Sequence, residues 1–286
     1  MNGIVIIDKP QEWTSQDVTA RLRRVFQTRR IGHGGTLDPM ATGVLPVFVG
    51  RATRGVEFFE HAEKTYETVL RLGITTDTED TSGTVLTEQE VNLSREKFEA
   101  ILPQFRGEIL QVPPMYSALK INGQKLVDLA RKGKTVERQP RPITVHELEL
   151  LEFGGNTARL RVRCSKGTYI RTLCKDIGEA LGCGGCMQEL RRVQAGEYTI
   201  AEAVPLMELL DCENPEQYLR PVDSMFRNYE AVTLTEKQEL RCRNGNSFTL
   251  GIADGTYRAY GQNGEFLMLA KVETGVMSTI KSFFEV

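Results

Sequence analysis

The sequence predicts an α/β protein of two domains, and three observations support that fold class. The 286 residues are about twice the ~150 residues of a typical domain. Segments with the two-residue period of strands alternate with segments that have helical spacing. The last ~60 residues carry helix and hairpin signals of their own, which predicts a small second module.

Composition and charge exclude several broad classes of protein. With 40% hydrophobic and 26% charged residues, the chain falls outside the disordered and collagenous classes. Its net charge of −2 gives no whole-chain argument for a nucleic-acid partner. No apolar run approaches the ~18 residues of a membrane span, and the first residues lack the basic region of a signal peptide. We therefore expect a cytoplasmic protein.

The six cysteines are expected to be reduced thiols, because nothing in the sequence indicates secretion. Only Cys183 and Cys186 form a closely spaced pair, and neither a second pair nor a histidine lies nearby. A structural zinc site needs four ligands. We therefore expect no metal and place this pair in a loop after a helix.

Three segments have the signals of strands. Gly3–Lys9 is a short apolar run, and Tyr66–Leu72 alternates between a mostly apolar face and a mixed one. In Ala158–Cys164, apolar residues alternate with three arginines, which predicts a strand with an arginine face. The acidic stretch 77–80 is expected to be a solvated loop.

Two segments have the signals of helices. Thr14 or Ser15 can cap a first helix. Its apolar residues recur at helical spacing at Val18, Leu22, Val25 and Phe26. Ser94 can cap a second helix. Its buried stripe would comprise Phe98, Ile101, Leu102 and Phe105.

The C-terminal quarter is expected to form a linker and a small docked module. Residues 205–223 contain the pairs Asn214-Pro215 and Arg220-Pro221 and no clear period, which predicts a linker. Residues 235–238 match a capping box that opens a helix ending near Gly245. Residues 261–264 read as the turn of a hairpin. A module of ~60 residues is marginally stable alone, so it should pack on the first domain.

Basic residues concentrate in two windows of this nearly neutral chain. Residues 120–141 hold seven basic and two acidic residues, and residues 159–175 hold six basic residues and no acids. Such a window is most often a solvated face. Two of them can also form one surface for a polyanion.

A glycine-rich loop surrounds Asp38. Residues 32–37 do not fit a dinucleotide-binding fingerprint, because the third glycine is missing and the motif follows a helix. No Gly-Lys-Ser/Thr follows, which excludes a Walker phosphate loop. The remaining interpretation is a carboxylate on a turn constrained by Pro39. From spacing alone, Asp38 can equally be catalytic or a turn-capping residue.

This loop carries a resemblance to a known family. The segment Gly32-His-Gly-Gly-Thr-Leu-Asp-Pro-Met-Ala-Thr-Gly-Val-Leu45 closely resembles the active-site motif of the TruB family, the bacterial tRNA pseudouridine-55 synthases. Further blocks match in the same order. They are Asp8-Lys9-Pro10 with Thr14-Ser15, Lys64-Thr65-Tyr66, residues 113–123, Gly167-Thr-Tyr-Ile-Arg171 and Leu190-Arg-Arg192. The similarity spans residues 2–225.

The resemblance implies a fold and a function. It implies a catalytic domain over residues 1–225 with a mixed, largely antiparallel sheet, flanking helices and a basic mobile insertion at about 114–141. Residues 226–286 would form a small β-rich, PUA-like RNA-binding domain. The implied activity is isomerisation of uridine 55 in the T loop of tRNA to pseudouridine by base flipping, without cofactor or metal. The implied partner is the tRNA T stem-loop, with no obligatory protein partner and a monomeric enzyme.

The resemblance also assigns roles to individual residues. It implies that Asp38 is the nucleophile, that Arg171 keeps this carboxylate ionised, and that Tyr66 stacks on the target base and accepts the C5 proton. His33, Tyr169, Leu190 and Lys9 would bind or support the substrate. Without the resemblance, Tyr169 and Leu190 would pass as core residues of a strand and a helix. Phosphate contacts are expected from Lys120, Lys132, Lys134, Arg161 and Arg163.

The chain departs from the usual family pattern at four places, and two other functions stay open. Glu12 stands where glycine is usual and Arg54 where lysine is usual, while Val127 and Val193 replace a frequent tyrosine and threonine. The alternatives are a guide-RNA-dependent relative and a non-catalytic RNA-binding or RNA-folding protein of the same fold. Intact Asp38, Tyr66 and Arg171 argue against the non-catalytic reading.

Overall fold

The computed structural model describes residues 1–285. The strands are, in chain order, β1 (Gly3–Lys9), β2 (Ile31–His33), β3 (Thr42–Val49), β4 (Lys64–Leu72), β5 (Ile74–Thr76), β6 (Val85–Glu88), β7 (Gly107–Gln111), β8 (Lys120–Ile121), β9 (Gln124–Lys125), β10 (Arg141–Phe153), β11 (Thr157–Cys164), β12 (Gly185–Ala195), β13 (Tyr198–Thr199), β14 (Val204–Pro205), β15 (Glu230–Thr233), β16 (Phe248–Thr249), β17 (Gly255–Tyr260), β18 (Phe266–Glu273) and β19 (Val276–Ser282). The helices are α1 (Ser15–Val25), α2 (Val56–Glu60), α3 (Arg95–Ile101), α4 (Leu126–Ala130), α5 (Ile170–Ala180), α6 (Leu206–Asp211) and α7 (Glu236–Arg243). No helix in the described range is long and apolar enough to cross a membrane.

A ten-stranded mixed sheet forms the larger part of the molecule. Its strands follow the order β14-β1-β3-β12-β4-β11-β10-β7, with β2 beside β3 and β13 beside β12. The pairs β1 with β14 and β3 with β12 are parallel, and the others are antiparallel. With the flanking helices, this sheet confirms the predicted fold class. Strands β1, β4 and β11 coincide with the segments that the alternation predicts.

Helices α1 and α5 pack against this sheet through apolar stripes. Thr14 caps α1 in a capping box with Asp17, as the sequence predicts. The stripe of α1 joins the same core cluster as that of α5. These two helices carry residues of the candidate site at or near their first turns.

The predicted helix after Ser94 is shorter than expected. Ser94 caps α3, but the α-helix ends at Ile101, and a 3-10 turn continues over Leu102–Phe105. Pro103 lies at the start of that turn and cannot donate a helical hydrogen bond. The predicted stripe still faces the core, since Phe98 and Leu102 are buried.

The predicted linker at 205–223 is wrong. Strand β14 pairs with β1, and Leu206 and Leu209 of α6 are buried in the main core. The backbones of Ile4 and Arg220 exchange two hydrogen bonds of 2.9 and 2.8 Å. Pro205 lies in β14, and Pro215 and Pro221 lie at the starts of 3-10 turns in this packed segment.

A second sheet and helix α7 form a smaller body near the C-terminus. Its five strands follow the order β15-β17-β18-β19-β16, and its core includes Leu234, Leu267 and Met268. The predicted hairpin joins β17 to β18, and the predicted capping box opens α7. The aromatic residues Phe226 and Phe283 pack together against Phe58 of the main body, so the two bodies share a contact.

Candidate active site

Asp38 lies in the glycine-rich loop that joins β2 to β3. The hydroxyl of Ser15, the first residue of α1, accepts a hydrogen bond of 2.9 Å from the Leu37 N–H. A Cβ at Gly34 would lie 2.4 Å from the ring of Phe59, so a side chain cannot fit there. The loop backbone is therefore closely packed immediately before Asp38.

Asp38 and Arg171 form the central ion pair of this region. Nε of Arg171 donates to Oδ2 of Asp38 at 2.8 Å, and Nη2 donates to Oδ1 at 3.4 Å. Arg171, in the first turn of α5, has a side chain that is 6% exposed, whereas the Asp38 side chain is 36% exposed. One side of the carboxylate thus meets a fixed cation, and the other side is open to a substrate. A carboxylate in this setting can act as a nucleophile.

The remaining donors of Arg171 connect the ion pair to two other segments. Nη2 donates to the carbonyl of Tyr116 at 2.8 Å, and Nη1 donates to the carbonyl of Thr78 at 3.1 Å. A second carboxylate, that of Asp80, lies 3.8 Å from Nε. Arg171 therefore holds together the glycine-rich loop that carries Asp38, the acidic loop 77–80 and the segment after β7.

The acidic loop is not solvated at Asp80, in contrast to the prediction. Asp80 is 5% exposed. Its Oδ1 accepts from the hydroxyl of Thr78 at 2.8 Å and from the N–H of Ser82 at 3.0 Å. Main-chain pairing of Thr81 with Met187 draws the loop onto β12. Hydroxyl residues two positions before and after an aspartate favour such a folded turn, and that signal could have identified Asp80.

Lys9 supports the same region from the end of β1. It is fully buried, and its Nζ donates to the carbonyls of Trp13 at 2.6 Å, Pro10 at 2.8 Å and Pro39 at 3.3 Å. Burial lowers the pKa of Lys9 to about 8, while the charge of Asp38 acts in the opposite direction. Since Pro39 follows Asp38 directly, Lys9 is hydrogen-bonded to the backbone of the glycine-rich loop that carries Asp38.

Tyr66 and Leu190 lie on two neighbouring strands. Tyr66 on β4 is half-buried, and burial raises the pKa of its phenol, with the nearby charge of Arg192 opposing that rise. Arg192 is its direct partner on β12. Leu190 lies two residues earlier on β12 and is 8% exposed. Alternate residues of a strand share one face, so Leu190 and Tyr66 border the same space.

Tyr169 immediately precedes α5, and its backbone is held by a residue that sequence reasoning missed. The side-chain amide of Gln111, 2% exposed at the end of β7, accepts from the Tyr169 N–H at 2.8 Å and donates to its carbonyl at 3.1 Å. No local pattern indicates this contact. The sequence alone suggested a strand for Tyr169 and a helix for Leu190. In the structure, Tyr169 lies directly before helix α5, and Leu190 lies on strand β12.

His33 ends β2 beside α1. Its Nε2 lies 3.4 Å from the amide nitrogen of Gln16, and its buried Nδ1 has no hydrogen-bond partner within residues 1–285. Burial lowers the pKa of His33, and the charge of Arg192 lowers it further. The ring is therefore neutral at neutral pH and can stack or donate without carrying charge.

Glu12 shows why glycine is usual at its position. Its φ is 68°, a left-handed value that glycine adopts without strain. Its N–H donates to the carbonyl of Pro39 at 2.8 Å. With glutamate in place of glycine at position 12, the turn still forms, and its N–H still bonds the loop that carries Asp38.

The two basic windows differ in their surroundings. Lys120, Lys132 and Lys134 are exposed on β8 and after α4. Arg161 instead pairs with Glu67 at 2.8 Å, and Arg163 pairs with glutamates on both neighbouring sides. The sequence predicts an arginine face on β11, but in the structure glutamates compensate the charges of these two arginines. The glutamates come from neighbouring segments of the sheet and are not adjacent to the arginines in sequence.

The cysteine pair lies beside α5. Cys183 follows the helix, as predicted, but Cys186 belongs to β12. Within residues 1–285, no cluster of three or more His, Cys, Asp or Glu side chains is arranged to hold a metal.

Known sequence families match most of the chain. The model of the TruB family pseudouridylate synthase N-terminal domain matches residues 23–170, and that of the tRNA pseudouridylate synthase B C-terminal domain matches residues 171–227. The tRNA pseudouridine synthase B of Pseudomonas fluorescens is 45% identical over 280 residues, which cover 95% of this chain and 92% of that one. The tRNA pseudouridine synthase B of Clostridium kluyveri is 40% identical over 289 residues, which cover 99% and 100%.

Solved structures share the fold. A chain of a Cbf5-Nop10-Gar1 complex superimposes with a TM-score of 0.74 at 26% identity, covering 99% of this chain and 85% of that one. A chain of the archaeal box H/ACA sRNP Nop10-Cbf5 complex gives a TM-score of 0.72 at 26% identity, covering 99% and 86%.

Fold, site and relatives together define a pseudouridine synthase. The chain belongs to the TruB family of these enzymes, and tRNA is its class of substrate. The predicted family and the predicted pseudouridylation of tRNA are thereby confirmed.

Proposed function

We propose that this enzyme isomerises uridine 55 in the T loop of tRNA, with Asp38 as its nucleophile and without a cofactor. The observation that carries the proposal is the ion pair of Asp38 with Arg171 in a loop whose carboxylate has one open side. The reaction breaks the N1 glycosidic bond and joins C5 to the sugar. It therefore needs a nucleophile, an acceptor for the C5 proton and a group that holds the detached base.

Access to the uridine requires the nucleotide to leave the base stack. Flipping costs roughly a few kcal/mol in lost stacking and pairing, and a loop nucleotide costs less. Tyr66 stacks on the extruded ring, and Tyr169 and Leu190 close the pocket around it. His33, which is neutral, occupies the RNA side of the loop, and Lys9 supports the loop from inside.

Proton acceptance by Tyr66 is the most demanding of these roles. A phenol at its ordinary pKa of ~10 is a weak base at neutral pH. Burial raises the pKa of Tyr66 further. The proton transfer therefore depends on the positive charge of Arg192 next to the phenol, which favours the ionised form.

The RNA backbone is held by the exposed lysines of the 114–141 insertion, chiefly Lys120, Lys132 and Lys134. Arg161 and Arg163 contribute less in this proposal, because glutamates already pair with them. We assign residues 1–225 to the catalytic domain and 226–286 to a small RNA-binding domain. The enzyme acts as a cytoplasmic monomer on the T stem-loop.

The alternative of a guide-RNA-dependent enzyme is favoured only by the solved structures, one of which is an archaeal box H/ACA sRNP complex. Sequence favours the stand-alone enzyme, since the relatives named tRNA pseudouridine synthase B are 40–45% identical to this chain and the structural neighbours are 26% identical.

The test is activity of the purified chain alone on a synthetic T stem-loop. We expect pseudouridine at the position of uridine 55, detected by nuclease digestion and mass analysis, and none in a matched hairpin with cytidine there. Activity that appears only with an added guide RNA would support the alternative. Tight binding without product would support a non-catalytic role.

A further inference from the structure

Arg192 is a buried cation, and the residue roles proposed above do not explain why an arginine is buried at this position. It is the largest fully buried side chain of the described residues and is 1% exposed. Its hydrogen-bond partners within residues 1–285 are backbone carbonyls, not carboxylates. Burying a guanidinium without an ionic partner is unfavourable, and an apolar residue commonly serves as well for packing alone. Packing alone therefore does not explain why this position holds an arginine.

The contacts of Arg192 lie at the two ends of the catalytic loop. Nη2 donates to the carbonyl of Gly35 at 3.1 Å, before Asp38, and Nε donates to the carbonyl of Val44 at 2.7 Å, after it. At Gly43, whose φ is 101°, an added Cβ would lie 2.2 Å from the carbonyl oxygen of Arg192. One residue of β12 thus fixes the entry and the exit of the loop.

The same side chain faces the second reacting group. Arg192 and Tyr66 are direct partners in the antiparallel pairing of β12 with β4. The side chains of directly opposed residues project from the same face of the sheet and lie next to each other. The charge of Arg192 opposes the effect of burial on the Tyr66 phenol. Asp38 and Cys164 also act on this phenol, and both favour its neutral form.

We propose that Arg192 is a positioning residue for the reaction, whose guanidinium holds the catalytic loop at both ends and sets Asp38 and Tyr66 relative to each other. The inference rests on the roles given above to Asp38 and Tyr66. A positioned nucleophile and proton acceptor matter for the chemical step, whereas the RNA is bound by other surfaces. Loss of Arg192 should therefore reduce the rate constant and leave tRNA affinity unchanged.

The test compares Arg192→Lys and Arg192→Met in single-turnover tritium release from tRNA labelled at C5 of uridine. Lysine keeps the charge but not the paired donors, and we expect a rate about 10-fold below wild type; methionine removes both, and we expect a loss of about 100-fold. The Kd for tRNA, measured by filter binding, should stay within about twofold of wild type. A structural defect would instead change rate, Kd and melting temperature together.

Arg106→Met is the matched control. Nε and Nη2 of Arg106 also donate to a backbone carbonyl, that of Leu148 on β10, and not to the loop that carries Asp38. We expect a wild-type rate for this variant.

Folded Arg192 variants with rates within about threefold of wild type would overturn the inference. If Arg192→Met does not fold, the rate of Arg192→Lys decides alone, and a wild-type rate overturns it. Asp38→Asn is measured in parallel. If Asp38→Asn retains turnover, the role proposed above for Asp38 is wrong. If Asp38→Asn is inactive while the Arg192 variants have wild-type rates, only the inference about Arg192 is wrong.

Discussion

At the scale of single residues, two aspartates contact the same guanidinium and differ in access. The side chain of Asp38 is 36% exposed, and that of Asp80 is 7% exposed. Only Asp38 can meet a substrate. Asp80 is already bonded to Thr78 and Ser82, and its carboxylate lies 3.8 Å from the same nitrogen of Arg171 that binds Asp38.

Tyr66→Phe separates stacking from proton transfer. Phenylalanine keeps the ring, and hence stacking worth about 1–3 kcal/mol per base, but lacks the hydroxyl. We expect nearly normal tRNA binding and a stall after the new C–C bond forms, with a C5-protonated product accumulating. Rapid quench, nuclease digestion and mass analysis detect that species.

Tyr66→Leu is the companion variant and should weaken binding as well. Release of finished pseudouridine by Tyr66→Phe at near wild-type rate would limit Tyr66 to stacking.

The sequence predicted some site residues and missed others for a physical reason. Asp38, Arg171 and Tyr66 lie in short motifs, and the family resemblance was enough to single them out. Asp80 had a local signal in Thr78 and Ser82 that was not used, whereas Gln111 escaped because its partner comes from a distant segment. The partner of Gln111 is the backbone of Tyr169, which carries no sequence signal at all.

At the scale of elements, the start of α5 is the point where several parts of the site meet. Tyr169 and Arg171 lie two residues apart there. In the proposed function, their side chains contact the base and the nucleophile. The amide of Gln111 bonds both backbone groups of Tyr169, the N-cap residue, whose own side chain makes no capping hydrogen bond. Strand β7 thereby fixes where α5 begins.

Gln111→Leu tests this link. Leucine fills a similar volume but leaves the Tyr169 N–H unpaired and removes one of the two donors to its carbonyl, which keeps the Leu173 N–H. We therefore expect a loss of about 1–3 kcal/mol in the free energy of unfolding. We also expect a drop in single-turnover rate of about 10-fold or more, because Tyr169 and Arg171 shift together. Urea unfolding and tritium release measure the two effects.

Gln104→Leu, an exposed position on the 3-10 turn before β7, is the control and should match wild type in both measurements. A Gln111→Leu protein with wild-type stability and rate would contradict the role of this amide.

Local periodicity was sufficient to predict β4, α1 and the hairpin of β17 and β18. It failed at residues 205–223, where prolines suggested a linker. The residues that hold this segment, Leu206 and Leu209, pack against β1 from the other end of the sequence. Pairing between distant strands is not visible in any local pattern.

At the scale of the whole molecule, the two basic windows differ in whether acidic side chains lie beside them. A basic side chain that already pairs with a glutamate is less available to RNA phosphates. The two basic windows looked alike in sequence. Folding places glutamates of the sheet beside Arg161 and Arg163, while Lys132 and Lys134 stay exposed beyond α4. Among the described residues, no salt bridge compensates the charges of Lys132 and Lys134, in contrast to those of Arg161 and Arg163.

Replacing Lys132 and Lys134 by alanine should weaken binding to all tRNAs alike. Each lost phosphate contact should reduce the slope of log K against log salt by about 1. Filter binding over a range of salt concentrations measures this slope. The double replacement of Arg161 and Arg163 by alanine is the matched comparison and should leave the slope nearly unchanged. The opposite pattern would place the RNA on the sheet and not on the insertion.

The central claim is that the open carboxylate of Asp38 attacks the substrate. Asp38→Asn keeps the shape of the side chain and its position beside Arg171 but removes the nucleophilic charge. The most direct measurement is tritium release from C5-labelled tRNA by this variant, together with its Kd for the same tRNA. We predict affinity near that of wild type and no detectable release. Turnover within about tenfold of wild type would contradict the account.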